Sequence, residues 1–396
     1  GTLDVMCRYM TPDGNLAPFA LENVLHKAHE LFRNNTGLDL HAMGELEFFL
    51  LSTPDENIYL PPKQRGYHAA GPYVKTGEIL NEMVHHISQI TGAVKYAHSE
   101  VGNIASVRSN LEEIRGKHAS QLEIEFLTTP IEDAADNLVL ARWLVRNIAF
   151  RHGCVATFAP KLEEGVAGNG FHVHMELMKD GKDVMKDGEG NLSSEARKMI
   201  GGLCHYADSL TAFGNMVSSA YLRLVPNQEA PTRICWSDLN RSAMIRVPLG
   251  WAGGENLARK LNRQETEDLQ DGTGRQTIEL RSPDGSAMVY LLAAGITMAA
   301  EWGLSNVKSL KIAQKQYVTG NIFKNQKLLE QLPALPRSCV ESSRILRDKQ
   351  QLYEREDVFP KSIIDYVAQL LEAEDDEKMN QFLVDLPCNC CSAFNS

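Results

Sequence analysis

The 396-residue chain has no Walker A loop and no convincing glycine-rich dinucleotide fingerprint after a strand, so any nucleotide it binds is held another way. It has no apolar run long enough to cross a bilayer. The longest charge-free stretch, "SAMVYLLAAGITMAA" at 286–300, is too short, contains Gly295 and reads as a buried helix. No secretory signal is visible. Positive charge is in deficit: 40 Lys and Arg stand against 51 Asp and Glu, a net charge of −11. Nucleic acid and an anionic membrane are therefore excluded as expected partners. Internal repeats and low-complexity blocks are also lacking. Cysteines are few and scattered (Cys7, Cys154, Cys204, Cys235, Cys339, Cys388, Cys390 and Cys391). A large acidic chain needs no disulfide staples, so the expected compartment is a reducing cytoplasm. The tail "CNCC" reads as a frayed end with exposed thiols, with a soft-metal site as the alternative.

Against that acidic background one stretch is rich in arginine. "RLVPNQEAPTRICWSDLNRSAMIR" (223–246) holds four arginines, a glutamate and two prolines. Arginine forks suit carboxylate and phosphate oxygens, although a solvated basic loop is the plainer reading of such a stretch taken alone.

Patterning supplies the frame. Helical spacing marks 17–35, 76–91 (apolar stripe Ile79, Met83, Ile87 and Ile90) and 132–153, where acids come first and bases last, as the helix dipole favours. Strands are expected at 39–52, at 121–129, in "CVATFAP" and in "NGFHVHMELM". Turns fall at "KDGK" and "KDGEGN". Ser193 or Ser194 caps the following helix, and the chain is mostly helical after "QTIELRSPDG". Strands come in pairs between helices and not as regular βαβ units. The expectation is an α+β fold with a mainly antiparallel, curved sheet flanked by helices.

On three of these strands polar residues alternate with apolar ones: Glu45 and Glu47, His172 and His174, Glu279 and Arg281. Alternate residues of a strand face one side, so each pair points two polar groups into one cavity while Leu46, Phe48, Phe171, Val173, Ile278 and Leu280 cover the other face. Glu123 and Glu125 repeat the spacing, and Glu100 lies shortly before them. Carboxylates crowded together repel, and burial makes each charge costly. A divalent cation removes that cost, and oxygen-rich donors with one or two imidazoles suit Mg²⁺ or Mn²⁺. Cations on one side and arginines on the other are the arrangement of phosphoryl transfer. Each pair alone is as compatible with a salt-bridged strand position; their joint occurrence favours a site.

"GELEFFL", "GNGFHVHMEL", "YLRLVPNQEAP", "NRSAMIRVP" and "IELRSPDGSAMVYL" follow one another in an order that resembles the successive signatures of the glutamine synthetase catalytic domain, and "CRYMTPDG" resembles the segment that opens it. The resemblance runs from about Cys7 to Glu301; later residues carry no matching signature. It implies that fold, also described as guanido-kinase-like, over residues 1–396 as a single domain. Residues 316–396 would be a mostly helical C-terminal part, and the upstream β-grasp domain of the family would lie outside the chain. By the resemblance, Glu45, His172 and Glu279 hold one metal and Glu47, Glu100 and Glu123 the other. Arg223 clamps the α-carboxylate of glutamate, with Arg281 near it and Gly168 in the substrate loop. Arg241 and Arg246 face phosphate, and His174 faces the nucleotide phosphates. Glu229 is the lid glutamate that takes a proton from ammonium, and Tyr67 lies beside the ammonium pocket.

The implied reaction has two steps: ATP phosphorylates the γ-carboxylate of glutamate, then ammonia displaces phosphate. ATP, glutamate and ammonium are the implied partners, with a homo-oligomer whose sites lie between subunits. The chain also departs from the family's pattern. About fifteen extra residues separate Glu100 from Glu123 and bring in Glu112 and Glu113 as rival ligands. Ala167 and Gly168 stand where Asn-Gly is usual, with Asn169 and Gly170 following. Glu176, Thr277 and Gln228 replace a small hydroxyl, an arginine and an aromatic. The acceptor stays open between ammonia and another amine, and a non-catalytic assembly or regulatory relative is the third reading.

Overall fold

The structure, a computed structural model, describes residues 3–54, 59–60, 63–225, 230–249, 262, 264, 266 and 275–379. Its frame is a ten-stranded sheet. The strands are β1 (Asp39–Ser52), β2 (Val94–Ile104), β3 (His118–Phe126), β4 (Thr129–Pro130), β5 (Val155–Thr157), β6 (Phe171–Lys179), β7 (Lys182–Asp183), β8 (Trp236–Asp238), β9 (Ile245–Val247) and β10 (Ile278–Leu280). The main path is β2-β3-β1-β6-β10-β9-β8, with β4 and β5 pairing β1 and β7 pairing β6. Every pairing is antiparallel except the parallel pair of β8 with β9 at the edge. The α+β expectation with a mainly antiparallel sheet holds.

One face of the sheet is apolar. Leu40, Ala42, Leu46, Phe48 and Leu50 of β1 and Phe171, Val173, Met175 and Leu177 of β6 join a continuous core. Three long helices take part in it: α1 (Leu21–Thr36), α3 (Ile131–Arg151) and α4 (Ser194–Gly214), with α2 (Gly77–Thr91) packed on α3. After the four-residue helix α5 (Ala220–Arg223) comes α6 (Val289–Ser305), the expected buried helix, set between α1 and α4. Residues 309–372 add α7 (Ser309–Gln316), α8 (Gln326–Gln331), α9 (Cys339–Asp348) and α10 (Lys361–Glu372).

Local chemistry accounts for several boundaries. Ser193 caps α4, its hydroxyl accepting from the Ala196 N–H at 3.1 Å. Asp180 and Gly181 both have positive φ, as a two-residue turn between β6 and β7 requires. Contact between α4 and α6 depends on missing side chains: a Cβ on Gly202 would overlap the Ala299 carbonyl oxygen, and one on Gly303 that of Lys198. The buried stripe of α2 is Leu80, Met83 and Ile87, whereas Ile90, expected in that stripe, is exposed. The extra residues between Glu100 and Glu123 lengthen the β2–β3 hairpin, and Glu112 and Glu113 sit exposed at its tip while Glu123 is buried.

Candidate active site

The face of the sheet opposite the helices carries the polar pairs, and strand register brings them together. Glu45 stands opposite Glu125 of β3 and His172 of β6, Glu47 opposite Glu123, and Glu123 opposite His98 of β2. Further along, Glu279 of β10 stands opposite His174 and Arg246 of β9. Six strands thus contribute a row of carboxylates, imidazoles and guanidiniums to one surface. Glu45, Glu47, Glu123, His172, His174, Arg223, Glu279 and Arg281 are all buried there.

Glu45 is the centre of the first cluster. Its two oxygens lie 2.7 Å from His172 Nδ1 and 2.8 Å from His174 Nε2. Burial opposes the Glu45 charge, yet His174 and His172 together hold its carboxyl well below the usual range. Burial also works against a charged His174, but Glu45 outweighs it and raises the imidazole, whereas burial and Arg281 lower His172. His174 Nδ1 is 3.0 Å from the Thr277 hydroxyl, the residue found where the family's arginine was expected. Glu279, fully buried, accepts from Arg281 at 2.8 Å, and Arg246 Nε lies 2.6 Å away without hydrogen-bond alignment.

Glu47 is fixed differently. The Gly170 N–H donates to it at 2.8 Å and Gln121 Nε2 at 3.1 Å. Gln121 also reaches the carbonyl of Gly168 and the Asn169 side chain, tying the connection that precedes β6 to the carboxylate. Burial and Glu100 push the Glu47 carboxyl up to about 8. Glu123 goes further, up to about 12, through burial and then Glu45, Glu47, Glu100 and Glu125. Arg223 donates to the backbone carbonyls of Ser282 at 3.1 Å and Arg281 at 3.3 Å, and its other edge lies 3.3 Å from His172 Nε2. With Glu47, Lys161, Gly168, His172 and Arg281 it lines a cavity of about 50 Å³. Burial and Arg223 depress Lys161 to about 8.

Not every expected residue joins this interior. Tyr67 is 47% exposed at the rim, with the Arg241 guanidinium 5.9 Å over its ring. Glu229 and Gln228 lie outside the described residues. Glu176, two residues beyond His174, is fully buried, and burial raises its carboxyl. The sequence reading passed over Gln121, Asn169, Lys161, His98 and the Gly170 N–H. Gln121 and His98 did carry a signal, each lying two residues before a predicted ligand on its own strand. A cavity of about 800 Å³ lies beyond β9 among Trp236, Asp238, Gln276 and Tyr317, and none of the carboxylate pairs lines it.

The donor set fits divalent cations. Two groups, Glu45–His174–Glu279 and His98–Glu123–Glu125, each bring three ligand atoms within 4.8 Å of one another. Carboxyls forced to hold protons by their neighbours are what a cation site looks like to its own ligands.

A buried sheet face of paired carboxylates, imidazoles and arginines defines the class: a site with donors that could hold cations beside guanidiniums suited to anions. The family model for the glutamine synthetase catalytic domain matches residues 22–383, and the chain belongs to the glutamine synthetase family. A glutamine synthetase of Pyrococcus horikoshii is 32% identical over 345 residues, 86% of this chain and 68% of the relative. One of Pyrococcus abyssi is 32% identical over 76% of the chain, which spans 58% of that relative's length. Among solved structures, the cryo-EM glutamine synthetase of Plasmodium falciparum superposes with a TM-score of 0.72 at 20% identity, covering 95% of this chain and 80% of that one. Ligand-free GmaS gives 0.67 at 22% identity, covering 93% and 76%. At these identities the structures speak for the fold. Among the described residues no helix is long and apolar enough to cross a membrane.

Proposed function

We propose that the chain is the catalytic domain of an ATP-dependent glutamate–ammonia ligase, joining ammonia to the γ-carboxylate of glutamate through γ-glutamyl phosphate. The observation that carries this reading is the gathering of buried carboxylates on one sheet face with Arg246 and Arg281, and with Arg223 of α5 beside them. Glu45, His172 and Glu279 would hold one Mg²⁺ or Mn²⁺, and Glu47, Glu100 and Glu123 the other. When bound, the cations supply positive charge that neutralises the phosphates and the developing charge of the transferring group.

The protein's own groups do the rest. Arg223, held by the carbonyls of Ser282 and Arg281, is aimed into the small cavity and suits an amino-acid α-carboxylate. Arg281 lies beside it, and Gly168 gives a substrate backbone room to approach. Arg246 and Arg241 are placed to meet phosphate oxygens, with His174 on the nucleotide side. Glu229 would take the proton from ammonium, and Tyr67 would wall the acceptor pocket. An acyl phosphate survives only where water is kept out, which is the task assigned to the loop carrying Glu229. The whole of 1–396 is read as one domain, working in a cytoplasmic homo-oligomer with sites between subunits.

A second reading is a γ-glutamyl ligase for a larger amine. It is favoured by the exposure of Tyr67 at the rim, which leaves the acceptor side roomy. The test is phosphate release from ATP with glutamate and a panel of amines, the amide product being identified by mass spectrometry. Ammonia is expected to give the highest kcat/KM. A larger amine exceeding it would replace the first reading with the second. No cation-dependent, glutamate-stimulated ATP turnover would leave a non-catalytic relative.

A further inference from the structure

We propose that His98, Glu123 and Glu125 hold a divalent cation, His98 and Glu125 being ligands that the family resemblance does not supply. The inference deepens the metal-dependent reading above, with which it shares Glu123.

The β2–β3 register sets His98 opposite Glu123 and Tyr96 opposite Glu125. The three ligand side chains converge within 4.8 Å, and His98, Glu123 and Glu125 are only 8%, 5% and 7% exposed. His98 Nδ1 lies 3.0 Å from the Ser99 backbone carbonyl. A carbonyl oxygen can only accept, so Nδ1 carries a hydrogen and Nε2 is the ring nitrogen turned toward the carboxylates. That nitrogen is buried and has no hydrogen-bond partner, although Glu123 Oε2 is 3.0 Å away. An imidazole nitrogen and a carboxylate oxygen buried side by side are donor atoms that one cation can bridge.

The surroundings orient the ligands as the outer shell of a metal site does. The His98 ring stacks against His68, 4.1 Å away, and against Tyr96, 5.4 Å away. Tyr96 donates its hydroxyl to one oxygen of Glu125, and Lys95 reaches the other at 3.0 Å from the half-exposed outer side. Neither β6 nor β10 contributes, so this group is separate from Glu45–His174–Glu279, with which it shares no residue. One imidazole and two carboxylates form a borderline donor set that prefers Mn²⁺ or Zn²⁺ to Mg²⁺. The cation held by Glu123 is thereby drawn across β3 toward β2.

Titration of the chelator-treated chain with Mn²⁺, followed by electron paramagnetic resonance with nitrogen coupling read from spin echoes, tests this. Two bound equivalents are expected, each coupled to an imidazole nitrogen. His98→Ala should weaken one of them by about 10–100-fold or more and remove its nitrogen coupling. Glu125→Gln should weaken the same equivalent and keep the coupling. Mg²⁺ should compete for that equivalent poorly. Unchanged affinity and coupling in His98→Ala overturns the proposal. Should His98→Ala fail to give a native circular dichroism spectrum, Glu125→Gln decides: full Mn²⁺ affinity there overturns it equally. His172→Ala separates the two readings. Loss of only the second coupling supports both, whereas two unchanged equivalents in that variant sink the assignment at Glu45 and Glu279 and leave the His98 site standing. A wild-type chain that binds no Mn²⁺ overturns both.

Discussion

Replacing Glu123 by glutamine tests whether the acid cluster serves a cation or the fold. Burial and its four carboxylate neighbours push Glu123 up to about 12, so without metal at neutral pH it carries a proton. Glutamine has nearly the same shape and is also neutral, so Glu123→Gln should change metal-free stability by less than about 1 kcal/mol. With cation present the two proteins part. At a free concentration 100 times Kd, one site stabilises the wild type by about 2.7 kcal/mol. Unfolding entropy of about 2.1 cal/mol/K per residue gives about 0.8 kcal/mol/K for 396 residues. Each occupied site should therefore raise Tm by about 3 °C, and two sites by about 6 °C. Glutamine offers only a neutral amide oxygen, so the variant should keep about half of that shift. Scanning calorimetry in EDTA and in Mn²⁺ reads both quantities. A fall in Tm of about 3 °C or more in EDTA would show that Glu123 is ionised and structurally paired, and an undiminished Mn²⁺ shift would remove it from the ligands.

Three further outcomes can be checked. A Cβ on Gly170 would stand 2.7 Å from His172 Nε2 and 2.9 Å from an Arg223 guanidinium nitrogen, so Gly170→Ala should destabilise the fold by about 1–3 kcal/mol in a urea titration; wild-type stability would show that the loop moves freely. Arg223→Lys replaces a fork with a point charge and should weaken glutamate use by about 2–4 kcal/mol, seen as a raised glutamate KM with ATP KM little changed. Glu132 accepts from His29, and despite its partial burial this bond and that to His26 hold its carboxyl down at about 2. A depressed carboxyl adds stability above the unfolded value near 4.5, and that stability disappears as pH falls toward 2. Allowing for solvent screening of this half-buried group, Glu132→Gln should lose about 1–2 kcal/mol at pH 6 and nothing near pH 2 in paired urea titrations, and a gap that persists to acid would refute the linkage.

How far the molecule could be read in advance differs by scale. Strand β1 was legible over its whole length, since apolar residues alternate with Glu45 and Glu47 and no proline interrupts them. Partners along the strand were legible too, because period two places His172 with His174. Which strand lies beside which was not. That His98 faces Glu123 depends on the β2–β3 register and on its irregularity between Ser99 and Asn103, which no local pattern encodes. The three-residue strands β8 and β9 were hidden inside the arginine-rich connection, because each is too short for a period to show and β9 is fixed by its pairing with the distant β10. Glu47 owes its position to a backbone N–H and to Gln121, and a backbone group has no letter of its own.

The glycine contacts between α4 and α6 bear on how the site can move. Where backbone meets backbone there are no side chains to repack, and sliding one helix along the other would drive Ala299 and Lys198 carbonyls into Gly202 and Gly303. Amide hydrogens in these two helices should therefore exchange only through global unfolding. The short edge strands β8 and β9 have far fewer bonds to break and should open first. Arg246 rides on that edge, while Glu45 and His172 ride on the central pair of strands. The candidate site thus spans a stiff unit and a compliant one, and a ligand gripped by both would slow exchange at the edge while leaving the helices behind the sheet unchanged.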